Sequence, residues 1–199
     1  MDAQFRARHS YLTDEQWTKF TSFFQRMEVP AKTVLLREGE ISTKAFVIEK
    51  GSLRVWFDNK GRDTTFQFFF EGQGISSLES FKKNIPSFFT IETLEPCVIY
   101  RIQKKDLEYI IAEIEKLPNY NNQLLEFLFE RQFYYMKEFL SFVRDTPEER
   151  YQRLISERPH IVQRVPQQYI ASYLGITSVS LSRIKARLAK KMKGKESER

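Results

Sequence analysis

Residues Val165–Leu188 read VPQQYIASYLGITSVSLSRIKARL, and this pattern predicts two short helices joined by a tight turn. Pro166 suits the start of the first helix, because its missing N–H would have no intrahelical partner there. Gly175 ends that helix, since glycine adopts the left-handed backbone of a helix C-terminus at little cost. Thr177 then offers a hydroxyl that accepts a hydrogen bond from an orphan N–H of the second helix. The stretch therefore predicts a helical hairpin with a glycine turn.

The second helix of this hairpin has two chemically different faces. An apolar stripe, which would pack on the first helix, is formed by Leu181, Ile184 and Leu188. At about 100° per residue, the opposite face carries small, hydroxyl and basic side chains, namely Val179, Ser182, Arg183, Ala186 and Lys190. Such a face fits the major groove of DNA, where small side chains allow close approach and an arginine binds guanine O6 and N7 together.

An ordinary helical hairpin is the alternative, and the charge distribution argues against it. Residues 158–195 contain nine Lys or Arg and no Asp or Glu. Residues 145–199 carry 12 Lys or Arg and 6 Asp or Glu, so the whole net charge of +6 lies there, and residues 1–144 balance at 20 and 20. A basic excess confined to one part of a chain indicates a polyanionic partner, and a membrane surface suits the polar helix face poorly. We predict a helix-turn-helix that binds double-stranded DNA.

The remaining composition excludes several other classes of protein. The single cysteine, Cys97, permits no intrachain disulfide, and with His9 and His160 it cannot form a protein-only zinc or iron–sulfur site in one chain. No apolar run approaches the roughly 20 residues that span a bilayer, and the N-terminus lacks the apolar core of a signal peptide. We expect a cytoplasmic protein with no cofactor, no metal and no membrane partner.

Residues 33–102 alternate short β-rich runs with turn residues, as in a β-sandwich or roll. The predicted strands are Val34–Leu36, Ala45–Glu49, Ser52–Phe57, Thr64–Phe70, Phe88–Thr93 and Cys97–Ile102. Many of the 18 Phe lie here, and the expected place of aromatic residues at strand spacing is the core; an apolar ligand pocket is the alternative. Before the roll, Thr13-x-x-Gln16 predicts a capping box that opens a helix through about Arg26.

Two helices are predicted after the roll, at Lys104–Glu115 and from about Asn119 to Val143. The longer helix has two apolar stripes: Leu124, Leu128, Tyr135, Phe139 and Phe142 form the first, and Leu125, Phe129, Met136, Leu140 and Val143 form the second. One stripe would cover the helix's own domain, and a second suggests contact with the same helix of a second subunit. A helix fully buried within one chain is the alternative that periodicity leaves open.

Three segments follow from this pattern: a β-roll over residues 1–116, the long helix over 117–144 and the DNA-binding part over 145–199. At the second boundary, Thr146 is expected to cap a helix that has Pro147 at its first position and runs to Ser156. After Leu188 the sequence shows no strand pattern, and we expect a frayed basic end over Ala189–Arg199.

This order of elements resembles the bacterial cyclic-AMP receptor/fumarate–nitrate regulator (Crp/Fnr) family over nearly the whole chain. LLREGEISTKAFVIEKGSLRV (Leu35–Val55) is similar to the glycine-marked signature of the family's sensor domain, and IASYLGITSVSLSRIKARL (Ile170–Leu188) is similar to its DNA-reading motif. The resemblance implies an α+β fold, with an N-terminal jelly-roll of the cyclic-nucleotide-binding type, a long dimerisation helix and a C-terminal all-α helix-turn-helix domain. Family members commonly continue into a β-wing, and here we expect the domain to lack a full wing.

The resemblance also implies which residues contact DNA. Arg183 matches the arginine that reads a guanine, and Ser178 and Val179 lie at neighbouring base-reading positions. Val179 replaces the common acidic residue, so we expect a different target sequence, in which its methyl groups meet a thymine methyl. Phosphate contacts are expected from Gln168, Thr177 and Ser180, and the predicted DNA-binding set is completed by Ser182 and Arg187.

The predicted ligand pocket departs from the family pattern. It comprises Gly74, Ser76, Ser77, Leu78, Ser87 and Phe88. In members that bind cyclic nucleotides, a Gly-Glu-Leu segment holds the ribose and an Arg-Ser/Thr pair holds the phosphate. Here these align with Ser76-Ser77-Leu78 and about Ser87-Phe88, so the carboxylate and the arginine are both missing. Because a serine replaces neither the charge nor the geometry of a bidentate arginine, we expect no tight binding of cyclic AMP.

The resulting hypothesis is a homodimeric, sequence-specific transcriptional regulator, for which the resemblance implies RNA polymerase and an unidentified small-molecule effector as further partners. The alternative is an effector-binding module whose DNA-binding motif has decayed or lost specificity; the intact helix with Thr177 and Arg183 argues against it. An enzyme is not expected. Metal-dependent cupins share a similar roll but need clustered histidine ligands, and neither His9 nor His160 lies in the roll.

Overall fold

The β-rich runs form two four-stranded sheets that enclose one core, in a computed structural model that describes residues 3–118 and 120–197. The strands are β1 (Gln25–Val29), β2 (Val34–Leu36), β3 (Lys44–Lys50), β4 (Leu53–Asp58), β5 (Asp63–Phe69), β6 (Gly74–Ile75), β7 (Thr90–Thr93) and β8 (Cys97–Gln103). The sheet orders are β1-β8-β3-β6 and β2-β7-β4-β5. Each predicted strand is confirmed to within about two residues at its ends, and the α+β fold class is confirmed with it.

The core of the roll draws on both sheets. Ile48 and Ile99 come from one sheet and Leu53 and Ile91 from the other, and none of these side chains is more than 1% exposed. Full burial of such a side chain stabilises the fold by about 1.5–3 kcal/mol. Gly51, in the signature segment, has a φ of +102°, and a Cβ there would lie 2.5 Å from Cys97 Sγ, so only glycine fits this turn.

The N-terminal prediction is correct at its start and wrong at its end. Helix α1 spans Ala3–Arg8, and α2 (Asp14–Thr21) begins with the predicted capping box between Thr13 and Gln16. The predicted helix does not continue to Arg26, because Gln25–Val29 is strand β1 and pairs with β8. Met27 and Val29 pack on the core while the residues between and before them face outward, which is the two-residue period of a strand.

Seven further helices lie in the described part of the chain, one between strands β6 and β7 and six after β8. They are α3 (Leu78–Lys83), α4 (Lys104–Ile114), α5 (Tyr120–Arg144), α6 (Pro147–Glu157), α7 (Pro159–Arg164), α8 (Gln167–Tyr173) and α9 (Ser178–Ser197). The predicted cap of α6 is confirmed, since Glu149 N donates to Thr146 Oγ1 and Thr146 N donates to Glu149 Oε2. Asn119, predicted as the first residue of the long helix, lies outside the described residues.

The expected frayed end after Leu188 is wrong over the described residues, because α9 continues as a helix through Ser197. Alanine, lysine and methionine dominate this segment, and all three are strong helix formers. Glu198 and Arg199, the last residues of the predicted end, lie outside the described part. Up to Ser197 the C-terminal segment is helical, with no wing strand.

The chain divides into two compact units. One comprises Met1–Lys60 and Phe66–Leu124, and the other comprises Gly61–Thr65 and Leu125–Arg199. The division between the units falls inside α5, so most of the long helix is grouped with the C-terminal helices. The second unit contains α5 from Leu125 onward together with α6 to α9.

Candidate nucleic-acid interface

Helices α8 and α9 pack through small and branched apolar side chains. Ala171, Leu174, Leu181 and Ile184 are each at most 5% exposed. Gly175 follows α8 with a φ of +70°, and a Cβ at this position would lie 3.1 Å from the Phe142 ring of α5. The predicted glycine turn is therefore confirmed, and it places α9 close to the end of the long helix within the same unit.

The face of α9 opposite this packing is open to solvent. Val179 is 62% exposed, and Ser182, Arg183, Ala186 and Lys190 are also exposed. Within the described residues, neither Arg183 nor Lys190 forms an ion pair. The structure therefore brings together the five side chains that the sequence assigns to one face, with two cations available to a ligand.

The N-terminus of α9 carries the hydroxyl groups predicted to contact phosphate. Ser180 N donates to Thr177 Oγ1 over 3.2 Å, which confirms the predicted cap, and the hydroxyl oxygens of Thr177 and Ser180 lie 3.0 Å apart. Ser178 and, on α8, Gln168 are both exposed. Free N–H groups and the positive end of the helix dipole favour an anion at such a terminus.

Arg187 lies beside the exposed face and is held by an acidic residue of another helix. Its Nε is 3.0 Å from Glu148 Oε2, and Lys191 Nζ, one turn further along α9, is 2.9 Å from Glu148 Oε1. Glu148 thus competes with any DNA phosphate for Arg187, and the contact between Arg187 and DNA stays a prediction. No local sequence pattern reveals this contact, because Lys191 and Glu148 are 43 residues apart along the chain.

A second polar cluster, formed by Tyr134, Glu138, Arg158 and Tyr173, joins α5 to the start of the helix-turn-helix. The Arg158 guanidinium donates to the Tyr134 hydroxyl (2.7 Å), to Glu138 Oε1 (2.9 Å) and to the Tyr173 hydroxyl (3.0 Å), and Tyr173 donates to Glu138 Oε2. Burial raises the pKa of the Tyr173 phenol well above its ordinary value, although Arg158 acts in the opposite direction. Tyr173 therefore stays neutral at neutral pH, and its hydrogen bond to Glu138 joins α8 to α5.

Helix α5 exposes most of its apolar side chains. On the first predicted stripe, Leu124 is 37%, Leu128 47%, Phe139 68% and Phe142 54% exposed, and Tyr135 is half-buried. The second stripe is equally open, with Val143 at 72% and Phe129 at 54%. The alternative of a helix fully buried in its own chain is therefore wrong. Among the described helices none is long and apolar enough to cross a membrane, α5 included.

The predicted ligand-pocket residues have two different environments. Ser77 and Ser87 are buried, and Ser87 Oγ lies 2.9 Å from Ser77 Oγ and 2.8 Å from the Phe89 carbonyl oxygen. Leu78 and Phe88 are more than 60% exposed, Gly74 is exposed and Ser76 is half-buried. Nearby, Lys83 is exposed and donates to Glu79 over 2.7 Å. The buried serine hydroxyls are thus hydrogen-bonded within the roll.

The chain is similar in sequence and fold to known proteins. Residues 26–113 match the family model of the cyclic nucleotide-binding domain. The structure of CLP, the c-di-GMP responsive global regulator of Xanthomonas campestris, aligns with a TM-score of 0.68 over 90% of this chain and 93% of that one, at 15% identity. The chain has the Crp/Fnr fold. The resemblance inferred from the sequence is therefore confirmed.

Two more structures with the Crp/Fnr fold align over most of their length. FixK2 from Bradyrhizobium japonicum gives a TM-score of 0.67 at 14% identity, over 84% of this chain and 85% of that one. A CooA variant from Carboxydothermus hydrogenoformans gives 0.67 at 14% identity, over 86% and 79%. A comparison with curated protein sequences finds no significant match. At these identities the likeness concerns the fold.

Proposed function

We propose that this protein is a homodimeric, sequence-specific DNA-binding transcriptional regulator. The observation that carries the proposal is the exposed face of α9, on which Val179, Ser182, Arg183, Ala186 and Lys190 lie together on a rigidly packed helix. Small side chains on this face leave room for base edges, and Arg183 supplies the planar donor that binds guanine. The same fold in CLP and FixK2 supports the proposal, as does the confinement of the net charge to residues 145–199. DNA as the partner agrees with the cytoplasmic location expected from the sequence.

The second subunit is proposed to dock on the apolar face of α5. Most of the large hydrophobic side chains that are exposed in the described residues lie on this helix. A contiguous apolar surface of this kind marks an interaction site, and a two-fold pair of α5 helices would cover the same face of both copies. The polar cluster around Arg158 would then transmit the position of α5 to α8 and α9, and so set the distance between two recognition helices.

Selection of bound sequences from a random DNA pool tests the proposal directly. With purified, ligand-free protein we expect a two-fold-symmetric motif whose half-sites are about 34 Å apart, one helical turn of DNA. If nothing is enriched, the selection is repeated with cell extract. Recovery only with extract would indicate a required effector. Failure in both conditions would contradict the proposal and favour a decayed DNA-binding motif.

Cyclic AMP is expected not to bind tightly to the roll. The positions aligned with the phosphate-binding residues hold the buried Ser87 and the exposed Phe88, and neither supplies a positive charge. Isothermal titration should give no binding heat at micromolar protein, and millimolar cyclic AMP should leave the Tm unchanged, since a ligand at 100 times its Kd would add about 2.7 kcal/mol of stability. A micromolar or lower Kd would overturn this expectation.

A small-molecule effector and RNA polymerase remain predicted partners of this protein. Ile41, Phe66, Leu78 and Phe88 are exposed apolar side chains of the roll, which agrees with an apolar ligand or with a protein partner equally well.

A further inference from the structure

The carboxylate of Glu148 binds two cations of the recognition helix at once. Arg187 and Lys191 are four residues apart on α9, so they lie one above the other on the same side of the helix. Each takes a different oxygen of Glu148, at 3.0 Å and 2.9 Å. Both acceptor atoms of this carboxylate are therefore occupied by groups that the sequence counts among the basic residues of the DNA-binding part.

The two cations are more exposed to solvent than the carboxylate that binds them. The side chain of Glu148 is 19% exposed, whereas those of Arg187 and Lys191 are 57% and 63% exposed. A cleft of about 500 Å³ runs beside the pair, and its lining includes the three charged residues together with Glu149 and Gln152. An anion approaching α9 from outside can thus contact either cation without entering the protein core.

Arg187 and Lys191 flank the face that would enter the major groove. Four residues along a helix make one full turn plus about 40°. Arg187 is therefore rotated by about 40° around α9 from Arg183, and Lys191 by about 80°. Side chains at the margin of a recognition helix face the phosphates that border the groove, whereas those at its centre face the bases. These two cations are therefore placed for phosphate rather than base contact.

We propose that Glu148 limits the affinity of this protein for DNA of any sequence, because it competes with DNA phosphates for Arg187 and Lys191. This inference rests on the proposed function. Non-specific affinity comes almost entirely from the release of counterions by phosphate-bound cations. Holding two cations on an internal carboxylate lowers that contribution for every DNA sequence, and it leaves the base contacts of Arg183 in place. The preference for the operator over random DNA therefore depends on Arg183 and not on Glu148.

The test compares Glu148→Gln with Glu157→Gln in the full chain. Both substitutions lie in α6 and remove one negative charge, but Glu157 is exposed and forms no ion pair among the described residues. Affinity is measured for a random-sequence duplex and for the selected operator between about 50 and 200 mM salt, the range in which phosphate contacts dominate the change. Thermal unfolding of each variant checks that it is folded.

For Glu148→Gln we expect the plot of log K against log salt on random DNA to be steeper by about 1–2, since each added phosphate contact contributes about 0.9. Random DNA and the operator should gain affinity by a similar factor, so the ratio of their affinities should change little. Glu157→Gln should change the slope far less. Adding Arg187→Gln and Lys191→Gln to Glu148→Gln should remove the extra slope, which assigns it to these two cations.

Two results would overturn the inference. One is equal behaviour of Glu148→Gln and Glu157→Gln on both kinds of DNA, and the other is an extra slope that persists after both cations are neutralised. If Glu148→Gln does not fold, Glu148→Asp keeps the charge but shortens the side chain, and it should give a smaller change in the same direction. Failure of the unmodified protein to bind any DNA would instead contradict the proposed function.

Discussion

Replacing Arg183 with alanine is expected to weaken binding to the selected operator by about 1–3 kcal/mol, or roughly 5- to 150-fold, and to relax the preference at one base position. The physical reason is the loss of a bidentate hydrogen bond to guanine, which no other side chain on the face can replace. Arg183 is exposed and forms no ion pair with the described residues, so the variant should fold as the unmodified protein does. Electrophoretic mobility or fluorescence anisotropy with the operator and its single-base variants measures the effect.

A matched control for Arg183 is Lys185→Ala on the same helix. Lys185 is exposed, but it lies toward α8, where its Nζ is 3.5 Å from Gln167 Oε1. Removing this cation should weaken binding to all sequences alike and leave base preference unchanged, as expected for a phosphate contact. If Arg183→Ala also weakens random DNA as much as the operator, Arg183 contacts phosphate and the assignment of base reading to it is wrong.

Introducing charge on the first stripe of α5, by Leu128→Asp together with Phe139→Asp, is expected to convert the proposed dimer to a monomer. Phe139 is 68% exposed and Leu128 47%, so the substitutions alter a surface rather than the interior of the chain. An aspartate buried against a second helix would be desolvated without a partner, which costs more than the contact gains. Sedimentation velocity at micromolar protein measures the change, and affinity for a two-half-site operator should fall by about 10²–10⁴ once bivalent binding is lost.

The control for this variant is Lys137→Asp, which places the same residue on the polar side of α5 and should leave the dimer intact. Met136→Asp tests the second stripe in the same way, because Met136 is 48% exposed. Dissociation by Met136→Asp, with the double variant still dimeric, would move the interface to the second stripe. If the unmodified protein sediments as a monomer and still binds its operator fully, the dimeric mechanism is wrong.

Local sequence patterns predict the parts of the fold that are stabilised by residues close together along the chain. Thr13 with Gln16 and Thr146 with Glu149 form capping boxes, and Gly175 ends α8, because each of these devices needs partners within a few residues. The exposed face of α9 follows from helical periodicity alone. Strand alternation similarly locates β2 to β5, β7 and β8.

Other features of the fold depend on contacts between residues that are far apart in the sequence. Gln25–Val29 became a strand because β8 offers it an open edge, although the preceding helix pattern continues through it in the sequence. Whether the two stripes of α5 were buried could not follow from their spacing, since exposure depends on what the chain packs against them. The hydrogen bond between Ser77 and Ser87 depends on the meeting of two separate loops.

Composition and periodicity were thus sufficient for the roll, the long helix, the helix-turn-helix and the side chains that face outward from α9. Composition and periodicity did not show which basic side chains form ion pairs and which stay open to solvent. Arg183 and Arg187 look alike in the sequence, four residues apart on one basic helix. Folding leaves Arg183 open to solvent and brings Glu148 of α6 onto Arg187, because ion pairs form between groups that tertiary packing makes adjacent, whatever their distance along the chain.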